Sequence, residues 1–272
     1  MTNLPETRCT ELELDNGWLT IWFNQPEMRN PLTEEMRNDL METLAAIRDD
    51  REVRGVTLRG RGGVFCAGGD LKMFRAHFQG EASREDIVAM SRDAAAIMDA
   101  VNTAPQVVMS LIEGAAVAGG FGLACCSDVV ICQTSAKFSM TETMIGLSPA
   151  QIAPFVIQKL GYSVARRLML TAERFDGARA LELGFADFVG ETVADLESVE
   201  TKIRSQVLKC APGAVAATKD LVRILPDLAR ADAVDAAAEN FADRMVSDEA
   251  REGIASFLEK RPARWAPETK TS

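Results

Sequence analysis

The 272-residue chain has one histidine, one tyrosine and no two cysteines in C-x-x-C spacing. Its six cysteines are Cys9, Cys66, Cys125, Cys126, Cys132 and Cys210. With His77 as the lone imidazole they supply no zinc ligand set of ordinary spacing, so no metal site is expected. They read as reduced, mostly buried thiols of a cytoplasmic protein. The same scarcity limits hydrolytic chemistry. A Ser-His-Asp or Cys-His arrangement would have to use His77, and no Gly-x-Ser-x-Gly elbow occurs in the chain. His77 reads as a surface or lid residue. No apolar run approaches the length of a membrane span. Residues Met1–Glu11 are acidic and polar, which predicts no secretory leader. Cationic excess is also missing: 30 Lys and Arg face 40 Asp and Glu, for a net charge of −10. That disfavours nucleic acid and anionic membrane as partners, and any anionic ligand must meet a local basic cluster.

What is present is ordinary globular composition, 47% hydrophobic and 26% charged, enough for a sizeable core. Asp15-Asn16-Gly17 sits between the alternating runs Thr10–Leu14 and Trp18–Phe23 and predicts a hairpin. A helix is expected from Thr33 to Asp49, capped by Thr33, with Met36, Leu40, Leu44 and Ile47 as its apolar stripe. Val56–Leu58 predicts a short strand. Ser83-x-x-Asp86 resembles a capping box for a helix ending at Asn102. Gln106–Ile112, Val129–Cys132 and Lys137–Met140 predict further strands. Leu183-Gly184 predicts a glycine-capped helix end. Ala194–Lys209, Ala211–Ile224 and Ala231–Lys260 predict helices. Alternating strands and helices followed by helices alone give an α/β core over residues 1–200 and a helical C-terminal region over 201–272.

Two segments join glycines to a predicted helix after a predicted strand. They are Val64-Phe65-Cys66-Ala67-Gly68-Gly69-Asp70-Leu71-Lys72 and Glu113-Gly114-Ala115-Ala116-Val117-Ala118-Gly119-Gly120-Phe121-Gly122-Leu123-Ala124. Such loops either serve tight turns and close packing alone or leave amide N–H groups free to meet a ligand. Two of them could aim two N–H groups at one developing oxyanion. Neither matches the P-loop or dinucleotide fingerprint.

These residues resemble the crotonase (enoyl-CoA hydratase/isomerase) superfamily. Cys66–Lys72 is similar to its A-G-x-D-[LI]-K segment, and Glu113–Asp128 to its second oxyanion loop, with Asp128 at the closing aspartate. Asn24-Gln25-Pro26-Glu27-Met28-Arg29-Asn30-Pro31-Leu32 resembles its N-x-P-x-x-x-N-x-L opening. Phe138-Ser139-Met140-Thr141-Glu142 resembles the strand that delivers a catalytic carboxylate. Ala180–Phe185 resembles A-x-x-x-G-[LF], and Phe257–Pro262 resembles the F-x-E-K-R-x-P ending with its proline one place early.

The resemblance implies an α/β, crotonase-like ββα spiral with a helical C-terminal trimerisation region, and a homotrimer or dimer of trimers. It implies an acyl-CoA thioester as substrate, with coenzyme A entering as part of it and no separate cofactor. Gly69 and Gly119 would form the oxyanion hole and Glu142 would be the acid/base. Arg29, Ala67, Gly68, Lys72 and Lys260 would meet the CoA portion, with Arg75, Arg261 and Arg264 as further basic candidates. One departure stands out: two-glutamate hydratases of the family carry a second Glu where this chain has Gly122. Glu113 precedes the loop and reads as a strand-end residue. A single glutamate also suits Δ3,Δ2-enoyl-CoA isomerases, and a non-catalytic acyl-CoA-binding protein is a third reading. Ile145–Val156 resembles the G-L-x-P-A-x-I-x-P-[YF]-V stretch of bacterial hydratases of branched glutaconyl-CoA esters. Those are the 3-methylglutaconyl-CoA hydratases of leucine degradation and the isohexenylglutaconyl-CoA hydratases of acyclic terpene degradation. The expected activity is therefore hydration of a branched enoyl-CoA, with acyl length and pathway left open.

Overall fold

The computed structural model describes residues 2–70 and 82–267. The chain opens with strands β1 (Thr10–Asp15) and β2 (Trp18–Phe23), paired antiparallel with Asp15 opposite Trp18. Asn16 and Gly17 both take positive φ (48° and 76°), the conformation a two-residue hairpin turn of this twist demands. Helix α1 (Glu34–Ile47) follows; Thr33 caps it by accepting from Met36 N, and Glu34 and Glu35 lie at its positive end. Met36, Leu40, Leu44 and Ile47 are each at most 5% exposed and join the main core. Burial of each such side chain contributes about 1.5–3 kcal/mol.

Strand β3 (Gly55–Gly60) leads through the first glycine loop towards α2 (Arg84–Asn102), which starts at a complete Ser83/Asp86 capping box. Strand β4 (Val107–Ile112), the short β5 (Ala115–Val117) and helix α3 (Gly119–Cys125) carry the second glycine loop. Strands β6 (Val129–Gln133) and β7 (Lys137–Ser139) come next, then α4 (Ala153–Leu160), α5 (Tyr162–Thr171), β8 (Phe175–Asp176), α6 (Gly177–Glu182) and β9 (Phe188–Gly190). Helix α7 (Val193–Val207) begins at a Thr192/Asp195 capping box.

The strands form two sheets. The larger has the order β1-β2-β3-β4-β6-β9 and is parallel apart from the opening hairpin; the smaller has the order β5-β7-β8. From β4 onward the chain passes back and forth between the two sheets, with β4, β6 and β9 in the large one and β5, β7 and β8 in the small one, the α/β spiral expected. The α3 side chain of Phe121 stacks on Phe185 (4.4 Å between centroids) and meets Phe138 and Phe175 edge-on, which locks α3 to the small sheet. On the far side, Trp18 donates to Thr57 Oγ1 (2.9 Å) and Thr57 donates to Glu200 Oε1 (2.6 Å), docking α7 on the large sheet.

The rest of the described chain is helical: α8 (Pro212–Ile224), α9 (Arg230–Met245) and α10 (Asp248–Glu259). The sequence pattern predicted one helix over Ala231–Lys260. The break falls at Ser247, whose side chain accepts from Ala250 N (3.1 Å) and caps a new helix. Arg54 ties this arm to the core by donating to the carbonyls of Cys210 and Trp265, and Lys219 bonds Asp128 (2.7 Å). Asp128 also accepts from Val108 N, so it holds β4 to α8. No helix among the described residues is long and apolar enough to cross a membrane.

Candidate active site

The two glycine loops meet. Cys66 pairs with Ala116 as an isolated bridge, with Cys66 N donating to Ala115 O and Val117 N to Cys66 O. Where α3 crosses the first loop the backbones lie so close that a Cβ on Gly120 would sit 2.6 Å from Cys66 O. A methyl group built on Gly119 would lie 3.7 Å from Gly69 N. Gly69 is exposed and Gly119 half-buried. Among the described residues neither amide has a protein acceptor. Gly119 is the first residue of α3, where backbone N–H groups have no partner within the helix.

The residue before it is strained. Ala118 has φ 50° and ψ −122°, a conformation that costs a non-glycine residue about 1–3 kcal/mol. It is held by Ala118 N donating to Ser139 O (2.8 Å) and Gly122 N donating to Ala118 O (3.1 Å). Strand β7 and helix α3 thus jointly fix the direction of the Gly119 amide.

Glu142 lies three residues beyond that Ser139. The family pattern places it at the end of a strand; β7 stops at Ser139, and Glu142 opens a 3-10 turn, Glu142–Ile145. The turn is closed by Leu147 N donating to Glu142 O (3.0 Å). Among the described residues, Glu142 is the only carboxylate with a fully buried oxygen, Oε2, that has no hydrogen-bond partner. Burial pushes its pKa above the ordinary glutamate value, partly opposed by its own backbone N–H. Because the folded value exceeds the unfolded one, Glu142 contributes stability fully below the unfolded pKa and loses it as pH rises through the folded pKa. We expect Glu142→Gln to melt higher than the wild type at about pH 7, with the gap closing towards about pH 4. Calorimetry across that range checks this; a variant that melts lower at neutral pH would contradict it.

Glu113, the other carboxylate beside the second loop, follows the end of β4 and is bound by Arg59 (Nε to Oε1, 2.8 Å), which also bonds Glu197 and covers the Trp22 ring. It is a structural ion pair. The buried thiols are equally committed: burial raises Cys66 and Cys132 to about 12, far from nucleophilic thiolates at neutral pH. No cluster of metal-ligating residues occurs among the described residues.

Arg29 is exposed, and its carbonyl accepts from Ala67 N (3.0 Å), which brings two of the CoA candidates together beside Gly68. The residue that makes this possible is one the sequence pattern gave no role. Asn30 is fully buried with φ 54°, donates to the Arg61 and Val64 carbonyls and accepts from Gln25 N. Its place in the N-x-P-x-x-x-N-x-L pattern was the available signal. We expect Asn30→Ala to destabilise the fold by about 3 kcal/mol, since three part-buried backbone groups lose their partner and alanine disfavours positive φ. Urea unfolding reads this out, and an unchanged midpoint would contradict it. Lys260, at positive φ after α10, has no hydrogen bond or ion pair to either loop among the described residues. Lys72, Arg75 and His77 lie outside the described residues.

The two-sheet spiral with its joined glycine loops places the chain in the crotonase fold class. The enoyl-CoA hydratase/isomerase family profile matches residues 13–268, and the chain belongs to that family. It is similar to AtuE of Pseudomonas aeruginosa, at 41% identity and a TM-score of 0.91, covering 96% of this chain and all of that one. An enoyl-CoA hydratase/isomerase from Marinobacter aquaeolei is 38% identical, with a TM-score of 0.90 over 95% of this chain and 99% of the other. The bovine enoyl-CoA hydratase domain-containing protein 2, mitochondrial, is 30% identical over 270 residues, 96% of this chain and 88% of that protein.

Proposed function

We propose that this protein hydrates a branched, glutaconyl-type enoyl-CoA. The observation that carries the reading is the desolvated, partnerless Glu142 oxygen, set beyond a strand whose last carbonyl fixes the oxyanion loop. The thioester oxygen sits between Gly69 N–H and Gly119 N–H. Glu142 takes a proton from water as the water oxygen bonds the β-carbon, and the double-bond electrons move to form the enolate. The enolate then collapses as its α-carbon takes the proton back from Glu142. One carboxylate thus serves both proton transfers, and its raised pKa suits both roles. The two amides act on charge that develops only along the reaction path, each worth roughly 3–4 kcal/mol in comparable sites.

The branched glutaconyl preference is supported by the likeness of Ile145–Val156 to hydratases of such esters. Arg29, Ala67, Gly68, Lys72 and Lys260 hold the CoA portion in this reading, with Lys260 contributed across a subunit boundary. A homotrimer or dimer of trimers is supported by the exposed apolar side chains of the C-terminal arm, among them Phe241, Val246, Phe257 and Leu258. Cytoplasmic residence is supported by the reduced thiols. The lone carboxylate also favours a second reading, Δ3,Δ2-enoyl-CoA isomerisation, in which Glu142 moves a proton between the α- and γ-carbons. Product analysis from a branched glutaconyl-CoA and from a 3-enoyl-CoA separates the two. A 3-hydroxyacyl-CoA from the first supports hydration. A 2-enoyl-CoA from the second, with no hydration of either, supports isomerisation. Binding of both without turnover would leave an acyl-CoA-binding protein.

A further inference from the structure

Helix α3 carries the oxyanion amide at Gly119, and one turn further on the same face it carries Gly122. By the family resemblance this is the position from which two-acid hydratases present their second glutamate. The space a side chain needs there is occupied. A Cβ built on Gly122 would lie 2.1 Å from Ile152 Cγ2 and 2.4 Å from Ile152 Cβ. These are the rigid, branched root of a side chain only 5% exposed. Ile152 has little freedom to withdraw. The next residue starts α4, Val156 N donates to Ile152 O (3.0 Å), and Ala153 N donates to Pro149 O (3.0 Å). On its other side Gln151 Nε2 donates to Ser91 Oγ (2.8 Å), pinning the turn to α2. Gly122 is held from its own side, where its carbonyl accepts from Cys126 Sγ (3.3 Å).

We propose that Ile152 is the specificity-determining residue of the site. Its side chain fills the volume that a second acid on α3 would need, so the site is restricted to the Glu142 carboxylate. It also puts an aliphatic wall where a two-acid hydratase has charge. A substrate that carries its own carboxylate and a carbon branch tolerates such a wall. It meets no like charge there, and its branch faces hydrocarbon. This rests on the hydratase reading above, and it adds the residue that selects among enoyl-CoA esters.

A double-mutant cycle tests it, with wild type, Gly122→Glu, Ile152→Ala and the double variant as its corners. Each is read by melting temperature and by kcat/KM on a straight-chain 2-enoyl-CoA and on a branched glutaconyl-CoA. We expect Gly122→Glu alone to lower the melting temperature by about 5 °C or more through overpacking. Adding Ile152→Ala should restore most of that loss. The double variant should shift the kcat/KM ratio towards the straight-chain ester by at least about tenfold over wild type, the scale on which pocket shape and charge discriminate. Gly122→Ala, with and without Ile152→Ala, repeats the melting cycle with one methyl group in case the glutamate variants do not fold. Additive melting losses in both cycles would overturn the steric part. A double variant that melts normally but keeps the wild-type ratio would overturn the specificity part. A wild type that hydrates neither ester counts against the hydratase reading instead, and the melting cycle still decides whether Ile152 closes the space over Gly122.

Discussion

Glu142→Gln is expected to lower kcat by about 10²–10⁴-fold, while acyl-CoA affinity changes by no more than a few-fold. Glutamine keeps the size and hydrogen-bonding reach of glutamate but neither takes nor returns a proton. The loss should be near the upper end of that range, because no second acid stands by. Glu113 is engaged with Arg59, and the position on α3 that could carry another is filled by Ile152. The same buried setting raises the Glu142 pKa, so the acid limb of kcat/KM against pH should fall above the ordinary glutamate value of about 4.3 and vanish in the variant. Steady-state kinetics with a dissociation constant for the unreacted ester separates catalysis from binding. A Gln variant with near wild-type turnover would remove Glu142 from the mechanism.

Gly119→Pro should lower kcat by about 10²–10³-fold, the scale seen when one oxyanion donor is removed. Proline has no N–H to give. It also disfavours the conformation of the residue before it, and Ala118 is held at φ 50°. Gly119→Ala keeps the donor and tests the space beside it instead. Its methyl group would lie 3.3 Å from Leu32 Cδ1 and 3.7 Å from Gly69 N, in the space the thioester oxygen needs between the two amides. We expect it to lose activity with its melting temperature nearly unchanged, which a packing role alone would not produce. Full turnover in a folded Gly119→Pro variant would rule out this amide as a donor.

Features that depend on neighbouring residues were legible in the sequence. Asn16-Gly17 specifies its turn through backbone conformations few other residues accept. Ser83 and Asp86 specify a helix start through two reciprocal hydrogen bonds over three residues. The α1 stripe follows from helical geometry alone. Other features depend on distant parts of the chain and were not legible that way. The contact between Gly122 and Ile152 spans 30 positions, and nothing local in either segment announces it. The glycine at 122 was visible as a departure from the family pattern, but its physical cause is the isoleucine packed upon it. Asn30 reads as a polar loop residue until Arg61 and Val64 are brought above it. The family pattern sets Glu142 at the end of a strand, but β7 ends at Ser139 and Thr141 turns the chain, so Glu142 opens a 3-10 turn instead. The helix break at Ser247 rests on a single capping hydroxyl, which the helical pattern over Ala231–Lys260 hides.

The most direct test is to run the reaction on a branched glutaconyl-CoA in water enriched in ¹⁸O and weigh the product. Water addition assisted by Glu142 predicts one ¹⁸O atom at the β-carbon of a 3-hydroxyacyl-CoA from the wild-type protein, and almost none from Glu142→Gln in the same time. A product that has moved its double bond without gaining ¹⁸O, or equal labelling by both proteins, would contradict the account.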